Sequence, residues 1–421
     1  IITTHPQYKA LVTTGIGAHH AGQLLMWRLM LEELMAAGQL RALIATGTVA
    51  AGVDFPARTV VITAHGRRGA TGYKALTAAD FQQMSGRAGR RGRDTVGFCV
   101  AVPSAFCDAR KLLEVSQQPA EPLVSAYFPS PSTVLNLLRY RTVDGLSYAV
   151  ERSLAGFIDN KEADKLLLQA EETQQQLAPD IRTLVAVDTE EDGAIAQAGI
   201  IRPVTKNEKK ALKKVRRLRR EAASLQQRQI QLLESALQGL RRLGYLEGVN
   251  LSEKGIWASN LCTSLVIELA EIIEGGLLIG ASPTVLAAVI ASISGDKHRQ
   301  YLSSKQSPLS KEQAVRLREI LQCIRAEPMP GIIEDLAVLP DAAFTVVTWM
   351  YAEDWQYFRG LLTLSGVAEG DAARLITQTA EHLNQISRLA RSHKDLADLA
   401  EETKLQLLRP PLSEVINLET I

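Results

Sequence analysis

A stretch in which arginines alternate with glycines, residues 82–93 (QQMSGRAGRRGR), most constrains what this chain can fold into. Arg87 and Arg90 stand three residues apart, and the small residues around them let the backbone approach a ligand closely. A guanidinium group is planar, forked and permanently charged, so it suits phosphate oxygens. The stretch predicts a phosphate site, although two arginines at this spacing are, on their own, more often a solvated basic turn.

Two further glycine-bearing segments precede this stretch. Residues 45–56 (ATGTVAAGVDFP) follow the apolar run 40–45, which predicts a strand that ends in a glycine turn and opens a short helix. Backbone amides at such a turn form a ready anion site. Residues 14–22 (TGIGAHHAG) come earlier still. A solvated basic turn does not explain three such segments in one order.

In this order, the three segments resemble motifs IV, V and VI of the second RecA-like domain of superfamily-two helicases. The sequences HHAG, ATGTVAAGVD and QMSGRAGRRG are most similar to the superkiller-type DExH RNA helicases that work beside RNA exosomes. Three ordered motifs within about eighty residues are a far more specific signal than any one of them.

The resemblance implies roles in nucleotide chemistry. Gln83 and Arg87 would contact the γ-phosphate of ATP, and Arg90 would be the arginine finger across an interdomain cleft. Gly52 and Asp54 would contact the ribose, although Asp54 could instead cap the turn before a proline.

The resemblance also implies a path for a single strand. Thr46 and Thr48 would hold its phosphates, which positions a strand without reading its sequence. His19 and His20 either contact the strand or brace their loop, and the sequence shows no acidic partner for them. Arg374 matches an arginine of the helix called the ratchet helix, whereas Thr377 and Gln378 replace the arginine pair that follows it in the family.

Composition limits the partners. With 47 basic and 46 acidic residues among 421, any nucleic-acid surface must be a local patch. The cysteines Cys99, Cys107, Cys262 and Cys323 lie far apart without metal or disulfide spacing, which fits a reducing cytoplasm and predicts no metal site. No apolar run is long enough for a membrane span, and no signal-peptide pattern is present.

We predict a multidomain α/β plus all-α chain. Residues 1–118 read as a second RecA-like domain with a parallel sheet, with strands at 11–14, 42–45, 59–63 and 97–102 and helices at 23–37 and 78–85. Four prolines between residues 119 and 131 mark a connector. Residues 119–160 and 225–260 resemble a winged-helix domain, with the wing turn at 251–255.

The remaining segments are predicted to be helical. Residues 161–224 read as an inserted basic helical hairpin. A long helix is predicted from 205 to 241, and it opens with a run of lysines and arginines. That run suits RNA phosphates, an acidic partner or plain solvation. Residues 261–421 read as a helical domain of the ratchet type, with Ser282 and Gly295 bounding one helix. Trp349 and Trp355 are expected to be core residues rather than platforms for base stacking.

The chain contains no Gly-Lys and no Asp-Glu dipeptide, so it lacks the P-loop and the acidic magnesium box of a helicase. It starts at Ile1 without Met, as if cut from a longer protein, and we expect these elements in a missing first RecA-like domain that holds ATP with Mg²⁺. The leading interpretation is the C-terminal portion of a 3′-to-5′ RNA helicase, inactive alone, with single-stranded RNA and a nuclease as partners. A DNA repair helicase and a non-enzymatic nucleic-acid scaffold are the alternatives.

Overall fold

The computed structural model describes residues 2–3, 5–47, 57–69, 72–90, 92, 94–182, 204–332 and 336–413. These residues are mostly helical with small two-stranded sheets. They form two compact units, one of residues 1–123, 276–318 and 336–421, the other of residues 124–275 and 319–335. Within the described ranges, no helix is long and apolar enough to cross a membrane.

The first unit begins with alternating helices and strands. In chain order these are α1 (Tyr8–Thr14), β1 (Ile16–His19), α2 (Leu25–Ala36), β2 (Ala42–Ala45), β3 (Thr59–Ile62), β4 (Gly66–Gly69), β5 (Gly72–Ala75), α3 (Ala78–Ser85), β6 (Phe98–Ala101) and α4 (Ala109–Ser116). β1 pairs in parallel with β2, and β3 pairs in parallel with β6. β4 and β5 form an antiparallel hairpin.

Most of these elements agree with the sequence predictions, but two do not. The predicted strand at 11–14 is wrong, because these residues belong to α1, which buries Leu11 against Trp27 and Leu31 of α2. Gly15 ends the helix with φ of 68°, a conformation that favours glycine, and the strand starts one residue later. The hairpin of β4 and β5 was not predicted, since its basic and glycine-rich sequence lacks strand patterning.

The proline-rich connector has no regular structure over residues 119–130, and the second unit begins within it, at residue 124. Its elements are α5 (Pro131–Leu138), α6 (Val143–Glu151), α7 (Leu154–Gln175), α8 (Pro179–Arg182), α9 (Lys206–Arg242), β7 (Leu246–Glu247), β8 (Asn250–Leu251), α10 (Glu253–Ala258) and α11 (Val266–Glu274). The predicted wing turn at 251–255 is wrong. Ser252 caps α10 by accepting a bond from the Gly255 N–H at 3.1 Å, and the hairpin turns at Gly248 instead.

Helices α7 and α9 pack antiparallel. Near one end Gln229 donates to Asp159 at 2.7 Å, and near the other end Arg219 donates to Gln174 at 2.8 Å. Around the second contact and beyond it, toward the start of α9, lies a buried apolar cluster of Ala170, Leu177, Ile181, Leu212, Val215 and Leu218. Because α9 runs without a break from 206 to 242, the boundary predicted between residues 224 and 225 falls inside one helix.

The C-terminal helices are α12 (Pro283–Ser294), α13 (Lys311–Arg325), α14 (Pro340–Tyr351), α15 (Trp355–Leu364), α16 (Glu369–Ser387) and α17 (Lys394–Leu407). Ser282 caps α12 and Gly295 ends it, as predicted. α12 is apolar over most of its surface, and α14, α16 and α17 pack against it. A helix that is hydrophobic all round must be buried, so α12 is the centre of this group.

An aromatic cluster fixes α14 to α15. Trp349, Trp355 and Phe358 have ring centroids 5.1 to 5.4 Å apart, and all three are buried. The indole N–H of Trp349 donates to the carbonyl oxygen of Leu407 at 2.8 Å. The expectation that both tryptophans are core residues is therefore confirmed.

We expect Trp349→Ala to lower the free energy of unfolding by about 3 to 5 kcal/mol, because it leaves a large cavity and an unpaired carbonyl group. Urea denaturation followed by circular dichroism measures this change. Leu364→Ala, at a side chain that is 87% exposed, is the control and should change stability by less than about 0.5 kcal/mol. An equal effect of both substitutions would contradict the packing described.

A buried carboxyl group on α11 generates a second prediction. Burial raises the pKa of Glu268 from 4.5 to about 7. The folded protein therefore favours the protonated form of Glu268. The contribution of this group to the free energy of unfolding is complete below pH 4.5 and falls by about 3 kcal/mol as the pH rises through 7. We expect Glu268→Gln to remove this loss, so that the variant gains stability relative to the parent between pH 4.5 and 8. Glu274→Gln, at an exposed position of the same helix, should show no such gain.

Candidate nucleic-acid and nucleotide site

The first predicted motif forms β1 and the loop that follows it. His19 is buried, and its Nε2 atom lies 2.9 Å from Oε1 of Glu32 on α2. The sequence had suggested no acidic partner, and this was wrong, because the return of the chain into α2 brings Glu32 back to the strand. His19 therefore braces the loop. His20 is half-buried, and its backbone N–H donates to the Gln23 side chain at 3.3 Å.

Thr46 stands directly after β2 and is exposed. Its backbone N–H donates to the carbonyl oxygen of His19 at 3.2 Å, which extends the pairing of β1 with β2. This bond places Thr46 beside the loop that carries His20. Thr48, Gly52 and Asp54 lie outside the described residues.

The arginine stretch follows α3. A capping box of Thr77 and Asp80 starts this helix, and Gln83 is exposed on it. Beyond the helix, Ala57 donates to the carbonyl oxygen of Arg87 at 2.9 Å, and Gly89 donates back to Ala57 at 2.7 Å. Ala57 comes directly after motif V in the sequence. The fold therefore holds Ala57, the first residue after motif V, against motif VI.

Arg90 is held by a carboxylate that the sequence prediction missed. Its Nε and Nη2 atoms donate to the two carboxylate oxygens of Asp94 at 2.8 and 2.9 Å, and its backbone N–H donates at 3.0 Å. These bonds hold the pKa of the Asp94 carboxyl group well below its usual range. Asp94 therefore stays ionised and fixes the Arg90 fork. Its spacing of four residues from Arg90 was the only signal available.

The first turn of α16 rests on the loop of motif IV. Gly370 donates its N–H to the carbonyl oxygen of Gly22 at 3.0 Å. A Cβ atom at Gly370 would lie 2.5 Å from the carbonyl oxygens of Ala21 and Gln23, so only glycine permits this approach. Arg374 follows one turn later and is exposed.

A cleft of about 110 Å³ lies beside Arg374. Its polar walls include Gln378 of α16 together with Arg299 and Asp371, which form an ion pair at 3.2 Å. The sequence prediction missed Arg299 because it lies about 70 residues before α16, in the segment between α12 and α13.

His5 reports on the electrostatics near the motif IV loop. It stacks on Trp27 with ring centroids 3.6 Å apart. Burial, with smaller electrostatic contributions from Arg359 and His20, lowers its pKa from 6.5 to about 4. His5 is therefore neutral at pH 7.

Comparisons with known proteins find similar sequences. Residues 248–414 match the family model described as the DSHCT (NUC185) domain. The DExH-box ATP-dependent RNA helicase DExH15 of Arabidopsis thaliana is 41% identical over 124 residues, which are 30% of this chain and 11% of that protein. The ATP-dependent RNA helicase mtr4 of Schizosaccharomyces pombe is 35% identical over 167 residues, 39% of this chain and 15% of that protein.

The exosome RNA helicase MTR4 of Homo sapiens is 35% identical over 147 residues, 35% of this chain and 14% of that protein. The matched parts of this chain thus span between 11% and 15% of the length of these three relatives. Residues 248–414 thus match a DSHCT (NUC185) domain, and over about a third of its length the chain is similar to DExH-box ATP-dependent RNA helicases, including those named MTR4.

Proposed function

We propose that this chain is the C-terminal portion of an ATP-dependent helicase that moves 3′-to-5′ along single-stranded RNA. The observation that carries the proposal is a connected series of backbone contacts. Thr46 bonds to His19, His20 follows in the same loop, and Gly22 of that loop bonds to Gly370 of the helix that carries Arg374. Three side chains with predicted roles on one strand are thereby attached to one loop.

These side chains suit a strand held by its backbone. The Thr46 hydroxyl group donates a hydrogen bond to a phosphate oxygen, and Arg374 supplies a forked charge. Contacts of this kind fix the position of the strand and are indifferent to its bases. Thr48 takes the same role in the proposal as Thr46.

The nucleotide side of the proposal rests on motif VI. Gln83 and Arg87 contact the γ-phosphate, and Arg90 neutralises charge that develops on it during phosphoryl transfer. Asp94 occupies the Nε and Nη2 edge of Arg90, which leaves Nη1 of the fork for a phosphate oxygen. Gly52 and Asp54 contact the ribose.

The described residues suit the phosphates of ATP better than they suit Mg²⁺. Arginines and an exposed Gln suit the phosphates of ATP. Among the residues that the structure describes, no group of three His, Cys, Asp or Glu side chains is arranged to hold a metal ion. When bound, the metal ion neutralises phosphate charge, and its ligands come from a first RecA-like domain in our proposal.

The predicted domains complete the proposal. Residues 1–118 form the second RecA-like domain, and the two parallel strand pairs support this assignment. Residues 119–160 and 225–260 form a winged helix around the β7 and β8 hairpin, with residues 161–224 inserted. Residues 261–421 form the ratchet-type domain. Two of the relatives are named exosome RNA helicases, so we propose a nuclease partner. We also propose a cytoplasmic location, because the four cysteines show no disulfide spacing.

We expect Arg90→Ala, in the longer protein that includes the upstream gene sequence, to reduce RNA-stimulated ATP hydrolysis by about 10³ to 10⁵-fold, because the developing charge loses its finger. Steady-state phosphate release measures this. Arg110→Ala, at an exposed arginine outside the motifs, is the matched control and should retain full turnover.

If Arg90→Ala hydrolyses ATP at a rate within a few-fold of the parent protein, Arg90 is not the arginine finger. The same assay with DNA in place of RNA separates the DNA repair helicase from the RNA helicase. If the longer protein binds RNA without hydrolysing ATP, the chain acts as a scaffold.

We expect Arg374→Ala to weaken the affinity of this chain for single-stranded RNA several-fold. It should also lower the slope of log affinity against log salt by about 0.7, because one phosphate contact is lost. Fluorescence anisotropy across a salt series gives both quantities. Arg391→Ala, at an exposed arginine beyond the end of α16, should change neither. Equal effects of the two substitutions would remove Arg374 from the strand path.

A further inference from the structure

The first four turns of α9 carry an unusual concentration of charge. Between residues 206 and 220 there are nine lysines and arginines and a single acid, Glu208, which gives this segment a formal charge of +8. The whole chain carries +1, so all other residues together carry −7. The rest of the surface therefore repels a polyanion on average, and this helix segment attracts one.

Most of these cations share one face of the helix. At the helical spacing of 3.6 residues per turn, six exposed side chains fall within an arc of about 120° and a length of about 21 Å. They are Lys206, Lys210, Lys213, Lys214, Arg217 and Arg220, and we call this set the basic face. Leu212, Val215 and Leu218 lie on the opposite side, buried against α7.

Within the described part of the chain, no member of the basic face forms an ion pair. Glu208 serves the start of the helix, where it closes a capping box with Thr205. Glu171 and Glu172, on the stretch of α7 that faces this end of α9, are exposed and make no ion pair with it among the described residues. The described residues around the basic face therefore do not neutralise its charge by ion pairs.

This arrangement works against the helix itself. Lys206 and Lys210, Lys210 and Lys214, and Lys213 and Arg217 are like charges at a spacing of four residues, which destabilises a helix. The first turn of a helix also disfavours cations because of the macrodipole, and Lys206 lies in that turn. A bound polyanion would relieve both effects at once.

We propose that the basic face binds the phosphodiester backbone of RNA, independently of base sequence. This inference rests on the proposed function, because it gives the same substrate a second contact. The basic face has no exposed large apolar side chain between residues 206 and 220. A protein partner would be expected to use apolar or aromatic anchors, whereas a row of cations alone matches a phosphate backbone.

The test compares two variants of the 421-residue chain with equal changes in charge. One carries Lys206→Gln, Lys210→Gln, Lys213→Gln and Arg217→Gln, substitutions that keep good helix-forming residues. The control carries Lys111→Gln, Lys305→Gln, Lys311→Gln and Lys394→Gln, at exposed positions elsewhere. Circular dichroism checks that both remain helical. Binding to single-stranded and duplex RNA of one length is measured between 50 and 200 mM salt.

We expect the basic-face variant to bind RNA at least ten-fold more weakly at 50 mM salt, and its salt slope to fall by about 3. The control should change affinity by less than two-fold. The RNA form whose affinity falls more, single strand or duplex, is the form that lies on this face. Equal losses in variant and control overturn the proposal.

A competition experiment with a poly-glutamate peptide tests whether the basic face binds an acidic protein instead of RNA. If it competes with RNA for the parent chain as strongly as unlabelled RNA does, the basic face is a site for acidic protein and the proposal fails. The proposed helicase function fails separately, through the Arg90→Ala assay. If RNA binding depends on Arg374 but not on the basic face, the basic-face proposal is wrong and the proposed helicase function is unaffected.

Discussion

One backbone contact, between Gly22 and Gly370, determines where the candidate strand-binding residues can lie. These two residues are separated by almost 350 positions in the chain, and the contact is possible only because Gly370 has no side chain. It attaches a long amphipathic helix to a loop between a strand and a helix of the first unit. Arg374 and His20 owe their common neighbourhood to it. A single methyl group at residue 370 would force the helix away from the loop.

The polar contacts around this loop divide into those that brace and those that face outward. The imidazole ring of His19 contacts the carboxylate of Glu32, and the side-chain oxygen of Gln23 accepts a hydrogen bond from the backbone N–H of His20. Thr46 and Arg374 stay exposed. Rigid support behind exposed donors is what a strand-binding surface needs, because a donor that is already oriented loses less entropy when it binds. The same division applies to motif VI, where Asp94 orients Arg90.

The sequence was sufficient for elements with strong local signals. The helix at 78–85 and the caps at Ser282 and Gly295 were predicted because capping residues act within one turn. The error at residues 11–14 arose because four aliphatic and β-branched residues fit either a strand or a short buried helix, and contact with Trp27 decides between them. The partners Glu32, Asp94 and Arg299 were missed since side-chain pairing across elements depends on tertiary structure, which a pattern of spacing does not contain.

The unbroken length of α9 has a mechanical consequence. Thirty-seven residues in one helix make a rod of about 55 Å. Its C-terminal third is anchored, since Ser235 donates to the carbonyl oxygen of Pro328 at 2.6 Å and Arg242 pairs with Glu327 at 2.5 Å. Its charged N-terminal third is braced mainly by α7. Any load applied to the charged end is therefore transmitted along an unbroken helix to this anchor.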